Sequence, residues 1–143
     1  MIAIVNGPNL NLLGKRQPEI YGTETFENCL RKFREEFPAE PIEYFQSNCE
    51  GEIISHLHHL GYDREDCKGI VINPGAYSHY SYAIADAISS INIPVVEVHI
   101  SNSMGREDFR HQSVTAPSCK GMLTGFGMDG YRMAISFLLR NRL

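Results

Sequence analysis

The sequence predicts an α/β fold in which a parallel sheet is wrapped by helices on both faces. Three observations carry this. Short apolar runs alternate with segments of helical periodicity along the chain. The run at 69–73 is apolar almost throughout, as a strand is when both its faces are covered. The chain has 143 residues, 43% of them hydrophobic and 21% charged, which suits one domain with a real core and no disulfide or metal staple.

The elements follow in order. Residues 2–5 read as a buried strand, closed by Asn6-Gly7-Pro8-Asn9. Residues 9–22 form a long polar connection rich in Asn, Gly, Lys and Arg; such a length in a compact domain is functional or disordered. Thr23 or Thr25 caps a helix running to about Phe37, with Phe26, Leu30, Phe33 and Phe37 along one face and Pro38 and Pro41 ending it. A second strand spans 42–46. Residues 52–60 form a helix with Ile53, Ile54, Leu57 and Leu60 inward, stopped by Gly61. After the third strand, 69–73, Pro74-Gly75-Ala76 makes a turn. Residues 81–91 form a helix whose buried stripe is Ala83, Ile84, Ala87, Ile88 and Ile91. Pro94 precedes a fourth strand at 95–100, and a polar loop runs to about residue 112. A fifth strand lies near 121–123, and the last helix, 130–140, turns Tyr131, Ala134, Ile135, Leu138 and Leu139 inward. Five strands joined in this way fit the flavodoxin-like order 2-1-3-4-5 in a single domain, 1–143.

Composition excludes several function classes. Lys plus Arg is 13 and Asp plus Glu is 17, a formal net charge of −4. Non-specific nucleic-acid binding runs on phosphate neutralisation and is not expected of such a chain. A small anion remains open, because a few arginines in one cleft outweigh the global sign. No apolar run approaches the roughly 20 residues that span a bilayer, and the opening residues are strand-like, so neither membrane insertion nor a secretory leader is expected. The four cysteines, Cys29, Cys49, Cys67 and Cys119, are widely spaced and read as reduced thiols of a cytoplasmic protein.

In this architecture ligands bind beyond the carboxyl ends of the strands, beside strands one and three. The residues delivered there are Asn6, Asn9, Asn11, Lys15, Arg16 and Tyr21; then Asn73, Gly75, Tyr77, Ser78 and His79; then Glu97, His99, Ser101, Asn102, Arg106 and Arg110. Amides, imidazoles and guanidiniums in that density suit an anionic or polyhydroxylated small molecule and proton transfer. Glu97 and His99 are two apart on a strand and share a face. A carboxylate there fixes the imidazole tautomer and favours its charged form. The alternative is a strand-end pair with no catalytic duty; its place in this fold favours function. Tyr21 shares a loop with Arg16. A free tyrosine titrates near roughly 10, and neighbouring guanidiniums favour its phenolate. Spacing alone reads it as a residue that packs the loop.

Other patterns lead away from the cleft chemistry. Six residues separate Gly7 from Gly14-Lys15, where the nucleotide-binding loop needs four, and Arg16 stands where Ser or Thr is required, which disfavours a nucleotide hydrolase. Glu52, His56 and His59 share a helix face at metal-like spacing but read as a solvated polar face. No lysine sits in an evidently apolar pocket that would make it a Schiff-base former. A signalling receiver wants clustered aspartates near the end of strand one, where Asn6 and Asn9 stand; a flavin carrier would copurify yellow.

Longer segments carry a resemblance. Ile4-Val5-Asn6-Gly7-Pro8-Asn9-Leu10-Asn11-Leu12-Leu13-Gly14-Lys15-Arg16 and Pro18-Glu19-Ile20-Tyr21-Gly22 closely resemble the opening of type II 3-dehydroquinate dehydratases. Gln46-Ser47-Asn48, Glu50-Gly51-Glu52, Ile72-Asn73-Pro74-Gly75-Ala76-Tyr77, Pro94-Val95-Val96-Glu97-Val98-His99-Ile100-Ser101-Asn102, Arg106-Glu107 and Phe109-Arg110-His111 continue it in family order. Ser103-Met104-Gly105, Cys49 and Tyr80 depart from the family's common residues.

The resemblance implies dehydration of 3-dehydroquinate to 3-dehydroshikimate by anti elimination through an enolate, with no metal, cofactor or Schiff base. That step serves aromatic biosynthesis and quinate breakdown alike. It implies Tyr21 as the base, held as phenolate by Arg16, and His99, oriented by Glu97, as the acid that protonates the departing hydroxyl. Asn9 matches the residue near that hydroxyl and the water that stabilises the enolate. Asn73 and the backbone amides of Ile100 and Ser101 match the carboxylate cradle. His79 and Arg110 match the residues that grip the ring hydroxyls, and Asp86 one that a neighbouring subunit contributes. The loop at about 9–22 matches a mobile lid, and the assembly is a homododecamer, a tetramer of trimers.

Overall fold

Strands β1 (Ile2–Asn6), β2 (Ile42–Gln46), β3 (Gly69–Asn73), β4 (Val95–His99) and β5 (Gly121–Thr124) form one parallel sheet in the order β2-β1-β3-β4-β5, as the sequence predicts. The computed structural model describes residues 1–140, so the last three positions of the expected 1–143 domain lie outside the described residues. Among the described residues the α-helices are α1 (Pro18–Tyr21) and α2 (Phe26–Glu36) between β1 and β2, α3 (Glu50–His58) between β2 and β3, α4 (Tyr82–Ser89) between β3 and β4, and α5 (Asp129–Arg140) after β5. Asn6 pairs with Gln46 on one side and Asn73 on the other, so three strand ends finish level.

Strand periodicity of two divides the core. Ile2 and Ile4 of β1, Val71 of β3 and Val96 and Val98 of β4 pack with Phe26 and Phe33 of α2 and with Tyr131 and Ile135 of α5. Ala3, Val5, Ile70, Ile72 and Val95 pack with Ile53 and Leu57 of α3 and Ile84 and Ile88 of α4. Each fully buried large side chain contributes roughly 1.5–3 kcal/mol of transfer free energy. Glu97 and His99 follow Val95 in the alternation and leave the sheet on the α4 side. Thr25 caps α2 by accepting from the Asn28 amide at 3.3 Å, and Ser81 caps α4 by accepting from Ile84 at 3.0 Å.

Four expectations need correction. The connection at 9–22 is not an open polar loop: it holds a short 3₁₀ turn, Leu10–Leu12, and helix α1, and it drops Leu10 and Leu13 into the core. Gly61 does not stop its helix. The chain continues through a π-helical turn, His59–Asp63, and a Cβ on Gly61 would lie 2.2 Å from Ile91 Cγ2, so the glycine is there for close packing. Pro74-Gly75-Ala76 leads into a 3₁₀ turn, Gly75–His79. Helix α4 ends at Ser89, with Ala83 exposed and Ala85 buried; alanine is small enough to suit either face and gives a pattern little to discriminate. Among the described residues no helix is long and apolar enough to cross a membrane.

Candidate active site

The chain leaves β1 towards one edge of the sheet and β3 towards the other, so a crevice opens between their carboxyl ends. The two connections cross closely there. A Cβ on Gly7 would sit 2.6 Å from the Pro74 carbonyl oxygen, and the Gly7 amide donates to the Asn73 carbonyl at 2.7 Å. Gly75 takes φ +61°, which an L side chain rarely adopts. The result is a cleft of about 240 Å³, a size that suits one small molecule.

Of the eleven residues to which the resemblance gives a role, nine line this cleft together: Asn9, Arg16, Tyr21, Asn73, His79, His99, Ile100, Ser101 and Arg110. Two do not. Glu97 is fully buried behind His99, and Asp86 lies exposed on α4, outside the cleft.

Tyr21, at the end of α1, has two cationic neighbours. Arg106 Nη1 donates to the Tyr21 hydroxyl oxygen at 2.8 Å and to Ser101 Oγ at 3.2 Å. The Arg16 guanidinium lies over the tyrosine ring, 5.4 Å from its centroid. Sequence reasoning places Arg106 in the cleft but gives the tyrosine's cation to Arg16; here Arg106 makes the hydrogen bond. Arg110 completes the cationic lining, hydrogen-bonded to Glu107 and lying 4.6 Å over the Phe109 ring.

The imidazoles come from two elements and lie nearly parallel, with His79 and His99 ring centroids 6.4 Å apart at 19°. His99 Nε2 meets Glu97 Oε2 at 2.9 Å. His79 Nδ1 meets the Gln112 carbonyl at 2.8 Å, so that nitrogen carries the proton. Phe109 packs edge-on against His79, with ring centroids 5.8 Å apart.

Asn73 is held at both ends of its amide. Its Nδ2 donates to the Tyr131 hydroxyl at 2.9 Å, and its Oδ1 accepts from the Gly75 amide at 3.1 Å. Tyr131 in turn donates to Asn6 Oδ1 at 2.8 Å. Burial pushes the Tyr131 phenol far above its ordinary value, so it stays a neutral structural donor. One Asn73 N–H remains for a ligand. Asn9 sits at φ 69°, which asparagine tolerates, with its own amide donating to Asn48 Oδ1 at 3.0 Å. The carbonyls of His99 and Ile100, which share peptide planes with the Ile100 and Ser101 amides, accept from the Gly125 amide at 3.2 Å and the Gly127 amide at 3.0 Å, which fixes both planes.

The Glu52, His56 and His59 face disperses. Glu52 accepts from the Ser47 hydroxyl, His56 stacks on Phe45 with centroids 4.0 Å apart, and His59 meets Asp63 at 3.1 Å. Burial lowers the His56 pKa. Among the described residues no group of three or more His, Cys, Asp or Glu side chains is arranged to hold a metal ion.

Sequence reasoning also missed Ser113 and Thr115, which donate to Glu97 from a loop with no periodicity to read. Their only sequence signal is a pair of small hydroxyl residues shortly after the polar loop.

Known proteins resemble this chain along nearly its whole length. Residues 1–139 match the family described as dehydroquinase class II. A 3-dehydroquinate dehydratase of Bacillus licheniformis is 52% identical over 96% of this chain and 94% of its own length. One of Clostridium beijerinckii is 55% identical, again over 96% and 94%. The crystal structure of a type II dehydroquinase from Propionibacterium acnes superimposes with a TM-score of 0.91 at 40% identity, covering 98% of this chain and 96% of that one. That from Butyrivibrio crossotus gives 0.89 at 49%, covering 96% of each. With the family match spanning residues 1–139, this chain belongs to the class II dehydroquinase family.

Proposed function

We infer that this chain is a 3-dehydroquinate dehydratase of type II, a hydro-lyase that eliminates water from 3-dehydroquinate to give 3-dehydroshikimate. The observation that carries the reading is the convergence of Tyr21, two guanidiniums and a carboxylate-backed His99 on one cleft, in a chain with this family match.

The proposed reaction is an anti elimination through an enolate. The Tyr21 oxygen, its proton removed, takes a proton from the carbon beside the ketone. Arg106 at 2.8 Å and Arg16 over the ring offset the charge that this base carries. The electron pair moves onto the ketone oxygen, where donors already in place stabilise it, with Asn9 and an ordered water in that role. The enolate then collapses, and His99 protonates the departing C1 hydroxyl, which leaves as water. Asn73 and the amides of Ile100 and Ser101 receive the substrate carboxylate, and His79 and Arg110 the ring hydroxyls. No step calls for a metal, a cofactor or an imine.

The same reading makes 1–143 one catalytic domain of a cytoplasmic enzyme, with about 9–22 as a lid that closes over the substrate and excludes water. Gln17 at φ 42° and Gly22 at φ 78° flank α1 with positive-φ backbone, which marks where the segment turns away from the domain on either side. It also makes the assembly a homododecamer of four trimers, in which Asp86 reaches a neighbour's cleft. The exposure of Asp86 outside its own cleft supports this, and native mass measurement tests it.

Purified protein added to 3-dehydroquinate is expected to generate the ultraviolet absorbance of a conjugated enone, in the presence of a chelator or of borohydride alike. No enone, or inactivation by borohydride only when substrate is present, contradicts the reading.

A further inference from the structure

Glu97 is fully buried, and three side chains converge on its carboxylate. His99 Nε2 and Ser113 Oγ meet Oε2 at 2.9 and 2.7 Å, and Thr115 Oγ1 donates to Oε1. Thr115 is itself fully buried. Its hydroxyl and that of Ser113 carry one proton each. When both protons go to Glu97, the carboxylate is ionised and acts only as an acceptor. His99 must then carry a proton on Nε2, and Nδ1 is the nitrogen left to exchange a proton with a ligand.

We propose that the hydroxyls of Ser113 and Thr115 are positioning groups for His99, acting through Glu97. The inference rests on the reading of His99 as the acid. In the protonated ring Nε2–H is held by Glu97, so the Nδ1 proton is the one delivered to the leaving hydroxyl. The ring then returns to its neutral Nε2–H form, and no other proton moves in the network. Without the hydroxyls, a buried charge is left with one donor. A carboxylate that has lost those donors is no longer fixed in place and no longer determines which His99 nitrogen carries the proton.

The segment that bears these hydroxyls is itself fastened. The Val114 amide donates to the Ser78 carbonyl at 2.7 Å, the Gln112 carbonyl holds His79 Nδ1 at 2.8 Å, and the Ala116 amide donates to Ser113 Oγ at 3.0 Å. One strap therefore orients both imidazoles of the cleft. Cys119 also faces the network through the Thr115 carbonyl, at 3.6 Å. Its thiol is pushed up to about 12, by burial first and then by the Glu97 charge, so it adds no charge of its own.

The test compares wild type, Thr115→Val, Thr115→Ser, Ser113→Ala and His99→Ala by steady-state dehydration kinetics across about pH 5 to 9, the span in which imidazole changes charge. Thr115→Val keeps the shape and removes the donor. It is expected to lower kcat about tenfold, as loss of an outer partner does, with KM little changed and the pH profile of kcat displaced. Thr115→Ser, which keeps the hydroxyl, is expected to restore kcat and the profile. Should Thr115→Val not fold, Ser113→Ala is expected to show the same kcat-selective loss. A Thr115→Val enzyme with wild-type kcat and profile, beside a slow His99→Ala, overturns the positioning inference and leaves His99 as the acid. Failure of Thr115→Ser to restore the lost rate also overturns it, because packing alone is then at stake. A His99→Ala enzyme as fast as wild type removes the acid and the inference together.

Discussion

Arg106 reaches across 85 positions of sequence to donate from Nη1 to the Tyr21 hydroxyl at 2.8 Å, while Arg16, five residues before the tyrosine, lies over the ring face instead. A charge on that oxygen is therefore stabilised by a directed hydrogen bond from one arginine and by field alone from the other. Arg106→Ala is expected to lower kcat by about 10²–10³, the usual cost of losing one preorganised donor at a developing charge. Arg16→Ala is expected to lower kcat more than it raises KM, and by less than Arg106→Ala. Steady-state kinetics on the two variants check the order.

Much of this arrangement is legible in the sequence, and the remainder has a physical reason for being hidden. The strand order follows from alternating periods. The same-face placement of Glu97 and His99 follows from the period of two, and the cleft from the rule that parallel sheets bind ligands beyond their carboxyl ends. The partner of Tyr21 does not follow, because an arginine in a polar loop has the same local pattern whether it is solvated or aimed inward. Ser113 and Thr115 are hidden for a similar reason: small hydroxyl residues carry no hydrophobic signal, and their contact with Glu97 exists only once the strap folds back. Leu10 and Leu13 show the converse. The polar residues around them mask two core anchors in a segment that reads as loop.

His99→Ala is expected to slow departure of the hydroxyl while leaving the first proton transfer intact, a loss of about 10²–10⁴ typical of a missing general acid. In deuterated water the variant should wash deuterium into C2 of 3-dehydroquinate faster than it forms product, and proton NMR of the residual substrate measures this. The wild type should commit most of its enolate to product.

Gly7→Ala tests the close crossing that shapes the cleft. Its Cβ would lie 2.6 Å from the Pro74 carbonyl oxygen, and backbone on both sides leaves nothing soft to yield. A destabilisation of about 1–3 kcal/mol is expected, the range for forced overpacking. Denaturant unfolding should show it as a lower midpoint with an unchanged slope.

Glu40 supplies a pH dependence of stability away from the cleft. It pairs with the N-terminal ammonium of Met1 at 2.5 Å and with Lys68 at 2.9 Å. The N-terminal ammonium first, then Lys68, holds its carboxyl below the ordinary value. A carboxyl lowered on folding stabilises fully above its unfolded value, about 4.3, and that contribution drains as pH falls through the folded one. The melting temperature of Glu40→Gln is expected to lie below that of wild type at pH 7, with the gap closing on acidification. Melting curves of both proteins at matched pH separate this from the other carboxylates.

The central claim is that Tyr21 is the base. The most direct test is deuterium incorporation at C2 of 3-dehydroquinate by folded Tyr21→Phe in deuterated water, set beside His99→Ala. Enzyme-dependent exchange is expected to vanish in Tyr21→Phe and to persist in His99→Ala. Exchange that continues at the wild-type rate without the Tyr21 hydroxyl would contradict the account.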